Sequence, residues 1–268
     1  MNITVTAENI DVASLVVGIL MLLVAVGSAF YAFKAYKHQK ERAKKATACE
    51  LAKYYAENII EDGTVIINAF VMSGYEKYIT AFVSYDKMQE FTKKELEKIL
   101  EKSSANYNEC LDRIKKIDPK IVLQCRLARV YSLEKISSAI NDTVKFDEDH
   151  KAQYPTAGNI RTDFMQDVIK LMNMLEWFSM NCRYGIADEK LLYQSLHKTF
   201  LSTILLLYPL ICDDNDCNAD KCFTNAIWLF TKWRDRLNKI TNASEAKQKR
   251  LLRKLEKIEQ KVYFGKGI

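Results

Sequence analysis

From residue 12 to residue 33 the chain reads VASLVVGILMLLVAVGSAFYAF, 22 positions without a charge. A helix rising 1.5 Å per residue covers roughly 33 Å there, enough to cross a hydrocarbon layer of roughly 30 Å. The next stretch, KAYKHQKERAKK, sets Lys34, Lys37, Lys40, Arg42, Lys44 and Lys45 against Glu41. Cytoplasmic flanks keep an excess of Lys and Arg, so the pattern predicts an N-terminus outside and the bulk of the chain inside. A cleaved signal peptide carries its charge ahead of a shorter apolar run; here the charge follows, and an uncleaved anchor is expected. Tyr31, Phe33 and Tyr36 suit the interfacial aromatic belt. Ala25, Ser28, Ala29 and Ala32 share a helical face, which is ordinary in a spanning helix.

A second apolar run, TFLSTILLLYPLIC at 199–212, is only 14 residues long and contains Pro209. That length suits a buried core helix better than a span, so a single pass is expected.

Elsewhere the pattern is helical throughout. The helix after the anchor is expected to reach about 58–62 and to end at Gly63. Residues 64–85 are β-branched and aromatic, which blurs helix and strand; the helical context favours helix. Thr92 and Glu95 form a capping box opening a helix to about residue 116. Asp118-Pro119 opens another, to about Asn141, with Pro119 at its first position. A polar loop (145–158) precedes a helix at 160–184, one at 188–207, a loop at 212–218 and a helix at 220–239. The last helix, 243–262, spaces Leu251, Leu255, Ile258 and Val262 as a heptad seam.

Along 160–184, Phe164, Val168, Leu171, Met172, Leu175, Phe178 and Cys182 fall on one side. Asp163, Gln166, Asp167, Lys170, Asn173 and Asn181 fall on the other. Glu176 lies toward the apolar side with Ser179 and Arg183. A carboxylate there must be paired, hydrogen-bonded or protonated. Seven residues separate Glu176 from Arg183, roughly 10.5 Å along the axis, so each is expected to reach a different element. The free amides at the start of a neighbouring helix are one candidate partner for Glu176. The competing reading makes Glu176 a general acid or base. No second carboxylate or histidine completes such a site; His38, His150 and His197 lie in the flank, the loop and a helix. The structural reading is favoured.

Composition adds two restraints. Eight Gly and three Pro are few for 268 residues, which favours helices over turn-rich sheets. Every Lys and Arg lies after residue 33, an asymmetry that points to topology before nucleic acid.

Residues 211–222, ICDDNDCNADKC, hold Cys212, Cys217 and Cys222, but zinc sites prefer two-residue spacings. Asp214, Asp216, Asn218 and Asp220 imitate the opening of a calcium loop, yet Ala219 stands at the turn glycine and Asn225 at the bidentate Glu. An acidic turn between helices is the favoured reading, with free thiols in a reducing compartment. The sequence has no Walker A loop, GxGxxG, HExxH or nucleophile elbow. No catalytic, cofactor-binding or metal-binding residue is assigned, and no cofactor is expected.

Met172-Asn173-x-x-Glu176, followed by Gly185-Ile186-x-Asp188-Glu189 and a long apolar helix, resembles a family of uncharacterised bacterial proteins. These have one N-terminal transmembrane helix and a cytosolic all-helical domain of unknown function. The resemblance covers the anchor and about residues 160–211. It implies bacterial or phage origin, and some such proteins sit near antiviral defence genes; it implies no catalytic residues.

The resulting expectation is an all-α chain: a single N-terminal transmembrane helix followed by a cytosolic helical bundle. Its segments are 1–33 (external terminus and span), 34–62 (basic juxtamembrane helix), 63–241 (helical domain) and 242–268 (basic amphipathic helix). The expected place is the inner cell membrane. Expected partners are anionic lipid at the basic flank and a protein or a second copy, not nucleic acid, for which no binding module is recognisable. The expected role is a non-enzymatic interaction module, a sensor or effector in antiviral defence. The alternative is a membrane-tethered enzyme around Glu176 and Arg183.

Overall fold

In the computed structural model, which describes residues 7–102, 105–129, 157–217 and 220–264, every regular element is helical. Helix α1 runs Ala7–Tyr54 and passes without a break through a π-helical turn, Tyr55–Ile60, into α2, Glu61–Met72. Then come α3 (Tyr75–Phe82), a 3-10 turn (Tyr85–Lys87), α4 (Lys93–Glu101), α5 (Tyr107–Lys115) and α6 (Pro119–Ala128). The chain resumes with α7 (Ala157–Arg183), α8 (Glu189–Cys217) and α9 (Thr224–Phe264).

The described side chains in the first part of α1 pack on no other helix. From Leu15 to Ala43 its side chains are exposed almost throughout, including Leu20, Leu22, Val24 and Phe30. Burial begins at Ala48 and continues through Leu51, Tyr55 and Ile59. Tyr55, Ile59 and Gly63 stand four residues apart twice over. An α-helix would rotate that row off the core; a wider i→i+5 turn holds it in line, which accounts for the π segment. Gly63 therefore lies inside a helix instead of ending one, and it approaches Leu171 of α7. The ambiguous stretch 64–85 is helical with two breaks: at Gly74, whose left-handed φ of 77° suits glycine, and at the extended residues Val83 and Ser84.

The core sits where α7, α8 and α9 meet. All seven residues placed on the apolar side of α7 are buried. Phe178 stands at the centre, with ring centroids 4.9 Å from Tyr55, 6.0 Å from Phe200 and 6.2 Å from Trp233. The edge-on contacts with Tyr55 and Trp233 add to the area term. Asn181, placed on the polar side, is buried instead: its amide donates to the Trp177 carbonyl at 2.9 Å.

Several helix ends differ from expectation. The helix opening at Thr92 divides into α4 and α5, because the Asn106 side chain accepts the Asn108 amide and starts a new helix. Helix α8 does not stop at 207 and leaves no loop at 212–216; it runs through Pro209 to Cys217. Pro209 removes the donor to the Leu205 carbonyl; the next carbonyl, Leu206, accepts the Tyr75 hydroxyl at 2.8 Å. The helices expected at 220–239 and 243–262 are one, α9, in which the Thr241 hydroxyl turns back to the Leu237 carbonyl. The cap at Asp118 holds, accepting the Lys120 amide with Pro119 at the first position, and so does half of the box at Thr92. Thr92 accepts the Glu95 amide, but the Glu95 carboxylate reaches past Thr92 to the amides of Gln89, Glu90 and Phe91. The end of the helix at Asn141, most of the loop 145–158, Asn218, and the side chains of Leu255, Ile258 and Val262 lie outside the described residues; Leu251 is exposed.

Candidate functional site

Glu176 sits half-buried on α7 against the first turn of α9. One oxygen accepts the Asn225 backbone amide at 3.1 Å and its side-chain amide at 2.6 Å; the other accepts the Ala226 amide at 2.8 Å. These are the orphan donors of a helix start, where the dipole also favours negative charge. Phe223, immediately before, takes a left-handed φ of 57°. Arg183 donates to the Asn225 side-chain oxygen at 3.1 Å. Glu176 and Arg183 therefore do not reach separate elements: both grip Asn225, which bridges the gap their own spacing leaves. Ser179 donates to the Leu175 carbonyl at 2.7 Å and takes no part. The carboxylate is occupied on both oxygens by groups that fix α9.

Three further arrangements join residues far apart in the chain and are missed by the sequence reading. Glu189, at the start of α8, accepts the Trp233 indole at 2.7 Å and pairs with Lys232 at 3.0 Å, with Arg236 at 3.9 Å. Lys232, Trp233 and Arg236 lie within about one helical turn of one another, which is the signal the sequence did carry. Glu95 collects the amides of Gln89, Glu90 and Phe91 at 2.6–3.0 Å, and Tyr208 of α8 donates to it at 2.8 Å. Arg234 is buried and donates to the Met88 carbonyl at 2.6 Å.

The acidic run closes α8 instead of forming a loop. Asp213 accepts the Tyr107 hydroxyl at 2.7 Å and Lys115 at 2.9 Å, while Asp216 pairs with Lys93 at 3.3 Å. Burial alone would raise the Asp213 carboxyl; the Tyr107 and Lys115 hydrogen bonds outweigh it and hold it below the ordinary range. Asp214 moves the other way, raised by burial and then by the neighbouring Asp213 charge. Among the described residues no group of three or more His, Cys, Asp or Glu could hold a metal ion. The seven cysteines are free thiols. Burial pushes Cys110 and Cys182 up to about 12, which keeps them protonated and unreactive.

Beside the π turn, a cleft is lined by Glu61, Asp62, Arg126, Arg129, Asp167 and Lys170. Its charges pair off: Arg126 with Asp167 at 2.6 Å, Lys170 with Asp62 at 2.8 Å, and Arg129 with Glu61. Pairs this exposed are worth little individually, and no nucleophile with an adjacent base is present among the described residues lining it.

No protein-family profile, curated protein or solved structure matches this chain.

Proposed function

We propose that this chain is a membrane-anchored helical interaction module. The first half of α1 spans a bilayer once with its N-terminus outside, the basic stretch from Lys34 to Lys45 starts at the cytoplasmic headgroups and leads away from them, and the helical body acts in the cytosol through protein contacts. The observation that carries the reading is the contrast within one helix. Leu15 to Phe33 offer apolar side chains in every direction with no protein against them, and six cations follow at once. Such a surface in water would be an aggregation site; in hydrocarbon it is at rest. The other apolar helix, α8, already has its apolar surface covered by the body.

Reporter fusions test the topology. A fusion after Ile268 should be active as a cytoplasmic reporter and silent as alkaline phosphatase, and one at Asn2 the reverse. Removing the six cations together should scramble the orientation. An active phosphatase at the C-terminus overturns the proposed direction.

The same proposal makes Glu176 a fastener and not a catalyst, since its oxygens are taken by α9. An antiviral role within a bacterial cell rests on the resemblance alone; phage challenge of cells with and without the gene tests it.

A further inference from the structure

We infer that the turn joining α7 to α8 is a second membrane contact, a foot that docks on an anionic bilayer surface. The inference rests on the reading that α1 spans the bilayer, and the foot shares only Lys44 with the basic flank.

The turn lies at the end of the body nearest the anchor. Going down α1 from Tyr55 to Lys44, its partners run up α7 and beyond: Tyr55 meets Phe178 and Tyr54 meets Trp177, each at 4.9 Å, and the Asp188 amide donates to the Lys44 carbonyl at 3.1 Å. Below Lys44 the helix is bare. The turn is therefore the first part of the body that the anchor meets.

Its chemistry suits a lipid headgroup layer. Helix α7 ends in a Schellman motif: the Ile186 amide donates to Asn181 and the Gly185 amide to Cys182, with Gly185 at a φ of 66°. That reversal fixes Tyr184 and Ile186 outward, 69% and 49% exposed, with Leu191 one turn further on at 39%. Arg183 and Lys190 flank them, both exposed, and the Lys44 amine lies beside Gly185. The nearby acids are committed: Asp188 accepts the Lys190 and Leu191 amides, and Glu189 holds Trp233 and Lys232. Arg183 spends one donor on Asn225 and keeps others for a phosphate. Aromatic and aliphatic tips ringed by cations are what an anionic interface binds.

Reach is the remaining question. Lys44 is eleven residues beyond Phe33, roughly 16 Å along the axis. Headgroups extend roughly 5–7 Å beyond the hydrocarbon, so an upright helix would hold the foot clear of them. Spanning helices tilt by about 20° on average and up to about 40°. Helix α1 has no break between span and body, so its tilt is passed to the body whole. The Lys44 side chain leans back toward the span, with its amine beside Gly185, so the turn lies below the Lys44 backbone. A lean toward the turn of up to roughly 25°, the limit for a run of roughly 33 Å crossing roughly 30 Å, lowers the foot further.

Lipid photocrosslinking of the full-length protein tests this. A diazirine analogue of leucine is placed at position 186, at 24 within the span, or at 94, an exposed site next to the Lys93–Asp216 pair at the far end of α8. The protein is reconstituted in phosphatidylcholine vesicles with or without phosphatidylglycerol. The expected result is strong labelling at 24 in both vesicles, and labelling at 186 that exceeds that at 94. Without phosphatidylglycerol the 186 signal should fall, roughly fivefold for each foot cation that the anionic surface had attracted. Labelling at 24 with 186 no higher than 94 overturns the foot and leaves the span intact. Labelling at 186 that ignores phosphatidylglycerol overturns the anionic-surface assignment. No labelling at 24 overturns the span, and the foot with it.

Discussion

Helices α1 and α8 are both long and apolar enough to cross a membrane, yet the structure treats them oppositely. The apolar window of α1 is 0% buried and that of α8 is 72% buried. The difference lies in what each sequence does with its polar atoms. Between Leu15 and Phe33, α1 carries almost no side chain that needs a partner. Helix α8 carries several whose partners come from other helices: Tyr208 bonds to Glu95 of α4, and Glu189 at its start to Trp233 of α9. Apolar length alone does not make a span. A helix whose polar groups have assigned protein partners is built for a core, because in lipid those partners would be missing.

The largest effect should come from placing the same charge in both helices. Ile204→Asp buries a carboxylate with no assigned partner at a position 1% exposed. It should cost roughly 4 kcal/mol or more and leave little folded protein, read by soluble yield and melting temperature. Val24→Asp should leave the melting of the body unchanged and lower the membrane-inserted fraction, at a cost of roughly 2.5–3.5 kcal/mol of insertion free energy. If Val24→Asp melts the body, or Ile204→Asp does not, the two helices have been assigned the wrong way round.

Next in size is the fastener that keeps α8 covered. Trp233 of α9 packs on Phe200 and Tyr193 of α8, with ring centroids 5.1 and 5.7 Å away, and Glu176 seats the helix that carries it. Glu176→Ala leaves two backbone amides and the Asn225 side chain without their acceptor. A loss of roughly 1–3 kcal/mol is expected, with Glu176→Gln milder because one oxygen remains. Denaturant midpoints measure it. An alanine variant that melts like wild type but loses its cellular function would make Glu176 part of an active site.

Two tyrosines sharpen the point about polar partners within the core. Tyr75 donates to Leu206, whereas the Tyr193 hydroxyl is buried without a partner among the described residues. Tyr75→Phe should cost about 1 kcal/mol and Tyr193→Phe close to nothing, by thermal melting. Equal losses would mean that the Tyr193 hydroxyl has a partner after all.

Asp213 and Asp214 separate the far end of α8 by pH. The Asp213 carboxyl is held below its unfolded value, so its stabilisation is present above that value and lost as pH falls through the folded one. Asp214 is raised, so its contribution has the opposite sign. Asp213→Asn should flatten the acid limb of melting temperature against pH, and Asp214→Asn should steepen it. The same slope in both variants would remove the assigned difference.

The parts of this fold that were legible in the sequence depended on local rules. The charge-free run and its flank, the buried row on α7, and the caps at Thr92 and Asp118 are all set by residues within a few turns. Even the partner of Glu176 was foreseeable in kind, since a buried carboxylate and a helix start need each other. Its identity was not: Asn225 is far along the chain, and nothing local says that Arg183 will share it. Helix ends failed for the same reason. The helix expected to stop at 207 runs on through Pro209 inside the packed core, and the chain expected to end a helix at Gly63 stays helical through it.

Gly63 yields the smallest effect and the finest test of α1 as a continuous helix. Glycine within a helix costs roughly 0.5–1 kcal/mol relative to alanine through the freedom it loses on folding. If Gly63 were a helix end, alanine would gain nothing there. The structure places it inside α2 with helical neighbours on both sides, and an added Cβ would lie 3.5 Å from Leu171, an ordinary contact. Gly63→Ala should therefore raise stability by a few tenths of a kcal/mol up to about 1, seen as a higher denaturant midpoint at unchanged slope. A loss instead would mean that α2 and α7 approach too closely for even a methyl group, and that Gly63 is retained for packing.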